Sequence, residues 1–240
     1  MATPFYVAPE QMMKDRAEYA RKGIARGRAL VAVEYEDGVV FVGENPSRSL
    51  YKTSEIYDRI AFAAVGKYNE FESMRVAGIR MADVKGYQYA RQDVTAKSLA
   101  NAYSQALGSI FMGEQKPFEV ELLIAQVNGE APSQTEVASR GAHHESLELY
   151  HILYDGSIVD EHRVVAIGGE ADELGADLDS QWEEGMDLGS AIRLAVGALS
   201  GGEDRDIPAS DLEVSGLDRT RSRRRFFRLE EDEVAAQLGS

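Results

Sequence analysis

The side chains that could do chemistry in this sequence are few, and most of the usual catalytic settings are missing. Nucleophilic catalysis needs a hydroxyl, thiol or amine beside a base, yet there is no G-x-S-x-G elbow, no phosphate-binding loop of the G-x-x-x-x-G-K-[ST] type and no G-x-G-x-x-G turn. Cysteine is absent, which excludes a disulfide framework, a thiol nucleophile and a thiolate metal site. Gly168-Gly169 follows a strand-like run but lacks the spacing that cradles phosphate, and reads as a strand-to-helix turn. His143, His144, His151 and His162 lie close in sequence, but the first two fall in a polar loop and the others on separate strands. They are expected to be solvated, and no metal or cofactor is expected. The run from Arg219 to Arg228, with Phe226 and Phe227, could face nucleic acid. Its competing reading is an exposed loop and edge strand whose arginines deter edge pairing and meet the acidic surface around Glu230 to Glu233. Lys52, beside Tyr51 in a short strand-like segment, could hold an anion, although a lysine there is ordinarily solvated.

The elements that must position these residues follow from periodicity. Pro9 suits a first helical turn, and Glu10 places a carboxylate at its positive end. Met13, Ala17, Ala20 and Ile24 then recur at helical spacing, Arg21, Lys22 and Arg26 favour the negative end, and Gly27 offers a left-handed stop, which predicts a helix over 9–26. The segments 29–35 and 39–43 flank Glu36-Asp37-Gly38 as a hairpin buried on both faces. Strands are predicted at 51–57 and 59–65, then helices from Tyr68 towards Val84 and from Thr95 to about Met112, the second capped by Asp93 or Thr95. Further strands are predicted at 118–127, 146–154 and 158–167, helices at 171–184 and 188–199, and short strands at 211–217 and 225–229. Residues 1–8 read as a mobile arm and 230–240 as a frayed tail carrying a helix at 231–238. Strands and helices alternating in blocks point to an α+β fold, two sheets packed together with helices over both outer faces.

The 240 residues, 44% of them apolar, suffice for one substantial core, and a single domain over 1–240 is expected. A formal charge of −15 argues against bulk attraction to nucleic acid or an anionic membrane. No window approaches the ~18 apolar residues a membrane span requires, and the first residues lack the pattern of a secretory leader. A cytoplasmic protein is expected.

Taken in order, several short pieces resemble the α-type subunit of the 20S proteasome: Glu18-Tyr19-Ala20 leading to Gly27, Ala29-Leu30, Asp37-Gly38-Val39-Val40, Ser49-Leu50-Tyr51-Lys52 and Ala63-Ala64-Val65-Gly66. Phe5 to Gln11 and Asn45 to Leu50 look like the actinobacterial form. The resemblance runs from about Phe5 to Leu229 and implies a four-layer α-β-β-α sandwich of the N-terminal-nucleophile hydrolase type with an extra N-terminal helix. Catalytic β-type members carry a threonine at the free start of the first strand; the corresponding position here is about Arg28, preceded by a helix. Glu44 and Lys52 lie near the family's catalytic aspartate and lysine positions. The resemblance therefore implies a subunit that does not cleave peptides. It implies instead a seven-membered ring of α subunits that caps rings of β subunits. Met1, Ala2, Thr3, Pro4, Phe5, Tyr6, Val7 and Ala8 would form an axial gate, and a pocket of Lys52, Gly27 and Gly66 would receive the C-terminus of a ring-shaped ATPase activator. Phe5-Tyr6-Val7 stands where many α subunits carry a Tyr-Asp pair. Two alternatives compete: a self-processed hydrolase cut near Arg28, and an acidic scaffold outside any ring.

Overall fold

A computed structural model of the protein describes residues 8–128, 147–201, 205–222 and 224–239. In chain order the elements are α1 (Pro9–Ile24), β1 (Leu30–Tyr35), β2 (Gly38–Glu44), β3 (Thr53–Tyr57), β4 (Ile60–Gly66), α2 (Tyr68–Gln88), α3 (Ala96–Gly113) and β5 (Val120–Val127). There follow β6 (Leu147–Ile152), β7 (Ile158–Asp160), β8 (Val164–Ile167), α4 (Ala171–Gln181), α5 (Leu188–Leu199), β9 (Leu212–Asp218), β10 (Phe226–Arg228) and α6 (Glu231–Leu238). One antiparallel sheet has the order β10-β9-β2-β1-β8 and the other β3-β4-β5-β6-β7.

The four layers follow from side-chain alternation on doubly buried strands. On β1, Leu30 and Ala32 point between the sheets, where they meet Phe41, Ala63, Val65, Leu123, Ala125 and Ile167. Val31, Val33 and Tyr35 point the other way, against Leu178 of α4, Ile192 and Ala195 of α5 and Val234 of α6. The second sheet does the same: Ile60, Phe62 and Ala64 pack against Phe71 and Met74 of α2 and Leu99, Tyr103 and Leu107 of α3. Three apolar layers thus separate four structural ones. Each fully buried Leu, Ile, Val or Phe contributes about 1.5–3 kcal/mol. The structure is the α-β-β-α sandwich expected from the block order.

The N-terminal helix buries Ala20 and Ile24, with Met13 and Ala17 partly covered, at the edge of the inter-sheet layer. It ends at Ile24, two residues before the predicted boundary, with Ala25 as a right-handed cap at φ −63° and ψ −15°. Gly27 does not take the left-handed conformation, so its role as a helix stop is corrected. The close backbone around it explains the ending: a Cβ on Gly169 would lie 3.0 Å from the carbonyl oxygens of both Ala25 and Gly27. The predicted strand over 158–167 is two strands in different sheets, β7 pairing with β6 and β8 with β1. The crossover turns at Arg163, whose φ is 66°. The stretch read as a frayed tail contains α6, which has a reciprocal capping box between Glu230 and Glu233 and buries Val234.

Candidate functional site

Lys52 lies at the end of a loop that leaves β2 at Glu44 and enters β3 at Thr53. Its main-chain carbonyl accepts from Ala64 N at 2.9 Å, which ties it to β4 two residues before Gly66. Its Nζ donates to the carbonyl oxygen of Arg28 at 2.8 Å, one residue after Gly27. A Cβ on Gly27 would in turn lie 3.9 Å from Gly66 N. Lys52, Gly27 and Gly66, far apart in sequence, therefore meet where the end of β4 and the approach to β1 come together. Gly168 of the glycine pair joins them: its φ is 97°, a Cβ there would sit 3.3 Å from Ala29 Cα, and its N–H donates to Glu121 at 3.2 Å. The pair is the strand-to-helix turn expected.

The loop is held by a residue that sequence reasoning did not single out. Glu213 on β9 is buried, and its Oε2 accepts from Lys52 N at 3.0 Å and Asn45 Nδ2 at 2.7 Å. Its Oε1 accepts from Thr53 N at 3.0 Å, from the Thr53 hydroxyl and from Arg228 at 2.9 Å. Arg228 also donates to the Thr53 carbonyl at 2.8 Å and stacks on the Tyr51 ring at 3.8 Å. The only sequence signal was a glutamate within an apolar strand, LEVSGL. Burial pushes the Lys52 ammonium down to about 8; Glu213 and Glu44 oppose this, and Arg28 adds to it. A half-buried amine of this kind can pair with an incoming carboxylate.

The same corner holds Arg28 and Glu44, which the family resemblance sets near a catalytic centre. Arg28 pairs with Glu44 at 2.7 Å, and Glu44 also receives Arg205 at 2.5 Å. Thr53 and Ser215 carry the nearby hydroxyls, both fully buried: Ser215 donates to the Thr53 hydroxyl at 2.7 Å, and Thr53 donates to Glu213.

Gly66 has φ 102°, and a Cβ there would fall 1.9 Å from the Glu119 carbonyl oxygen, so the backbone itself demands glycine. Gly27 carries no such demand: its nearest neighbour would be the Ile24 carbonyl oxygen at 3.3 Å. Residues 1–7 of the expected gate lie outside the described residues; Ala8 is exposed and extended as the N-cap of α1.

His143 and His144 also lie outside the described residues. His151 sits between Glu121 at 3.7 Å and Glu161 at 3.5 Å; burial pushes it down, but the two carboxylates outweigh this and bring it up to about 9. Its expected solvation is corrected. Among the described residues no three potential ligands converge on a metal site, and no helix is long and apolar enough to cross a membrane. The basic run is engaged internally: Arg224 with Glu55, Arg228 with Glu213, and Arg225 with the Val127 carbonyl at 3.3 Å. Of the acidic residues after it, Glu231 is met by Arg48 at 3.3 Å, and Arg223 of the run lies outside the described residues.

Two antiparallel sheets face to face, helices on both outer sides and a helix laid before the first strand define a sandwich of the N-terminal-nucleophile hydrolase type. Residues 24–215 match the family described as "Proteasome subunit". Proteins named "Proteasome subunit alpha" are similar over nearly the whole chain. The one from Kineococcus radiotolerans is 54% identical, covering 99% of this chain and 98% of its own length. That from Streptomyces scabiei is 56% identical over 95% and 88%, and that from Nocardioides sp. 54% over 100% and 90%. The chain belongs to the proteasome subunit family, in the α-type branch of actinobacteria.

Proposed function

We propose that this chain is a non-catalytic ring subunit of a cytoplasmic 20S proteasome, and that it gates substrate passage and docks an activator. Seven copies would form each outer ring above rings of β subunits, which carry the threonine-type peptidase activity. Residues Met1 to Ala8 would close the axial pore. The pocket of Lys52, Gly27 and Gly66 would take the C-terminal carboxylate of a ring-shaped ATPase that feeds unfolded protein inward.

The observation that carries the docking reading is the Lys52 ammonium. It is held on the Arg28 carbonyl beside two glycines, half-buried, and pairing it with a chain-terminal carboxylate in a partly dry groove is a charge-assisted contact. The absence of catalysis is supported at Arg28: it follows α1 in the chain, its carbonyl is occupied by Lys52, and its guanidinium pairs with Glu44. It offers neither a free amine nor a hydroxyl.

Native mass spectrometry of the chain with and without a β-type partner tests the ring reading. A four-tiered complex of two heptamers of each kind is expected, and a chain that stays monomeric beside the β subunit would favour the free scaffold. N-terminal sequencing of the assembled chain adds a direct check. A new terminus between Gly27 and Val31 would revive the self-processed enzyme.

A further inference from the structure

The docking reading leaves one feature without a purpose: a buried carboxylate at the second position of β9. Alternation along that strand sends Leu212 and Val214 towards the helices of the first sheet and Leu217 between the sheets, so Glu213 and Ser215 point into the inter-sheet layer. An apolar side chain could fill such a position. The carboxylate instead gathers five donors from three separate pieces of chain: Asn45 at the start of the β2–β3 loop, Lys52 and Thr53 at its end, and Arg228 on β10. Both ends of the loop that presents Lys52 are thereby fixed to one group.

We propose that Glu213 is a positioning residue for the Lys52 ammonium in carboxylate docking: it sets the main chain on either side of Lys52 and supplies a buried negative charge that keeps the side chain cationic. The inference rests on the docking reading above. A carboxylate suits these donors because it accepts at both oxygens, whereas an amide would turn its own N–H groups towards Lys52 N or Asn45. The surrounding charges point the same way. Arg28 precedes β1, Arg205 lies on the chain before β9, and Arg228 comes from β10, so Lys52 is set among cations. Glu44, shared between Arg28 and Arg205, and Glu213 are the carboxylates that balance them. The lowering of Lys52 to about 8 is what that balance leaves: burial and Arg28 pull it down, and Glu213 is the largest influence raising it. Removing the Glu213 charge would let the amine lose its proton near neutral pH and would leave the pocket without its cation.

A purely structural staple would fix the loop without altering this titration, which gives the test. In the assembled αβ particle, Lys52 reactivity towards trace acetic anhydride is followed by peptide mass spectrometry across the pH range from about 6 to 11. The midpoint is expected at about 8 in the unaltered particle. In Glu213→Gln it is expected about one pH unit lower, which raises the unprotonated fraction at pH 7 from about 0.1 to about 0.5, a roughly fivefold gain in Lys52 reactivity. Because Glu213→Gln leaves the half-buried Arg228 without its partner, Glu213→Gln/Arg228→Gln is made alongside it; Arg28 and not Arg228 is the cation that lowers Lys52, so a fall in the same direction is expected. An unchanged midpoint in whichever variant assembles overturns the inference.

The docking reading is judged separately, with the C-terminal octapeptide of the cognate ring ATPase as free acid and as amide. If Lys52→Ala binds the free acid as tightly as the unaltered particle, docking at Lys52 is wrong. If Lys52→Ala loses the free acid while Glu213→Gln keeps both its midpoint and its affinity, only the role of Glu213 falls.

Discussion

Raising the pH through 8 should undock a carboxylate-ended activator without unfolding the ring. The ordinary lysine value is 10.5, whereas burial first and Arg28 second bring Lys52 to about 8 against the pull of Glu213 and Glu44. The fraction carrying the proton is then about 0.9 at pH 7 and about 0.1 at pH 9, so affinity should fall about tenfold, about 1.4 kcal/mol per site. A solvated lysine would stay more than about 0.9 protonated across the same interval and give almost no change. The chain-terminal carboxylate does not titrate in this range. Fluorescence anisotropy of the labelled ATPase C-terminal peptide on the assembled particle, at fixed ionic strength, measures the effect. The amide-ended peptide supplies the background and Lys52→Arg a cation that stays charged. Linkage separates docking from stability. Because the folded value is depressed, the unfolded chain binds this proton more tightly between about 8 and 10.5, so the group makes the fold more stable as pH rises through that window. His151, raised to about 9, loses its contribution to stability in the same range, so the amide-ended peptide and Lys52→Arg are what assign weaker binding at pH 9 to the site. A flat profile in the unaltered particle, or an equal fall in Lys52→Arg, would refute the reasoning.

The two pocket glycines should separate fold from docking. Gly66→Ala puts a Cβ 1.9 Å from the Glu119 carbonyl oxygen at φ 102°, and a loss of at least about 1–3 kcal/mol in denaturant unfolding is expected. Gly27→Ala brings its Cβ within 3.3 Å of the Ile24 carbonyl oxygen without a left-handed backbone, so a smaller loss of about 0.5–1 kcal/mol is expected while peptide affinity falls; unchanged affinity would remove Gly27 from the pocket. Deleting Met1 to Ala8 should speed hydrolysis of short fluorogenic peptides by the assembled particle, and equal turnover would remove the gate. Phe41→Ala, at the fully buried centre of the inter-sheet layer, should cost about 3–5 kcal/mol and be seen as a lowered unfolding midpoint.

Local pattern made most of the sandwich legible. The Asp37-Gly38 turn between two apolar runs gave the central hairpin, and Thr95 caps α3 through Ser98 N as its position implies. Where long-range pairing decides, the pattern failed. Ile158 to Ile167 is apolar at both ends, and nothing in it says that its halves join opposite sheets, because that choice is made by β6 and β1. The site divides the same way. Lys52 stood out beside Tyr51 as a possible anion site, but Gly27 and Gly66 could be joined to it only through likeness to a family, since their meeting depends on contacts across the sheet ends. Glu213 went unnoticed because the groups that give it meaning, Asn45 and Lys52, precede it by more than half the chain. Gly66 carried a misleading signal, since its glycine answers to its own backbone whether or not anything docks beside it.

The most direct measurement is ATP-dependent degradation of a folded substrate by particles carrying Lys52→Ala, with the cognate ring ATPase supplied. Four-tiered assembly and unstimulated peptide hydrolysis should be retained while activator-driven degradation is lost, because the substitution removes the docking cation and leaves the Glu213 hydrogen bonds to main-chain Lys52 and Thr53 in place. Degradation at the unaltered rate by an intact Lys52→Ala particle would contradict the account at its centre.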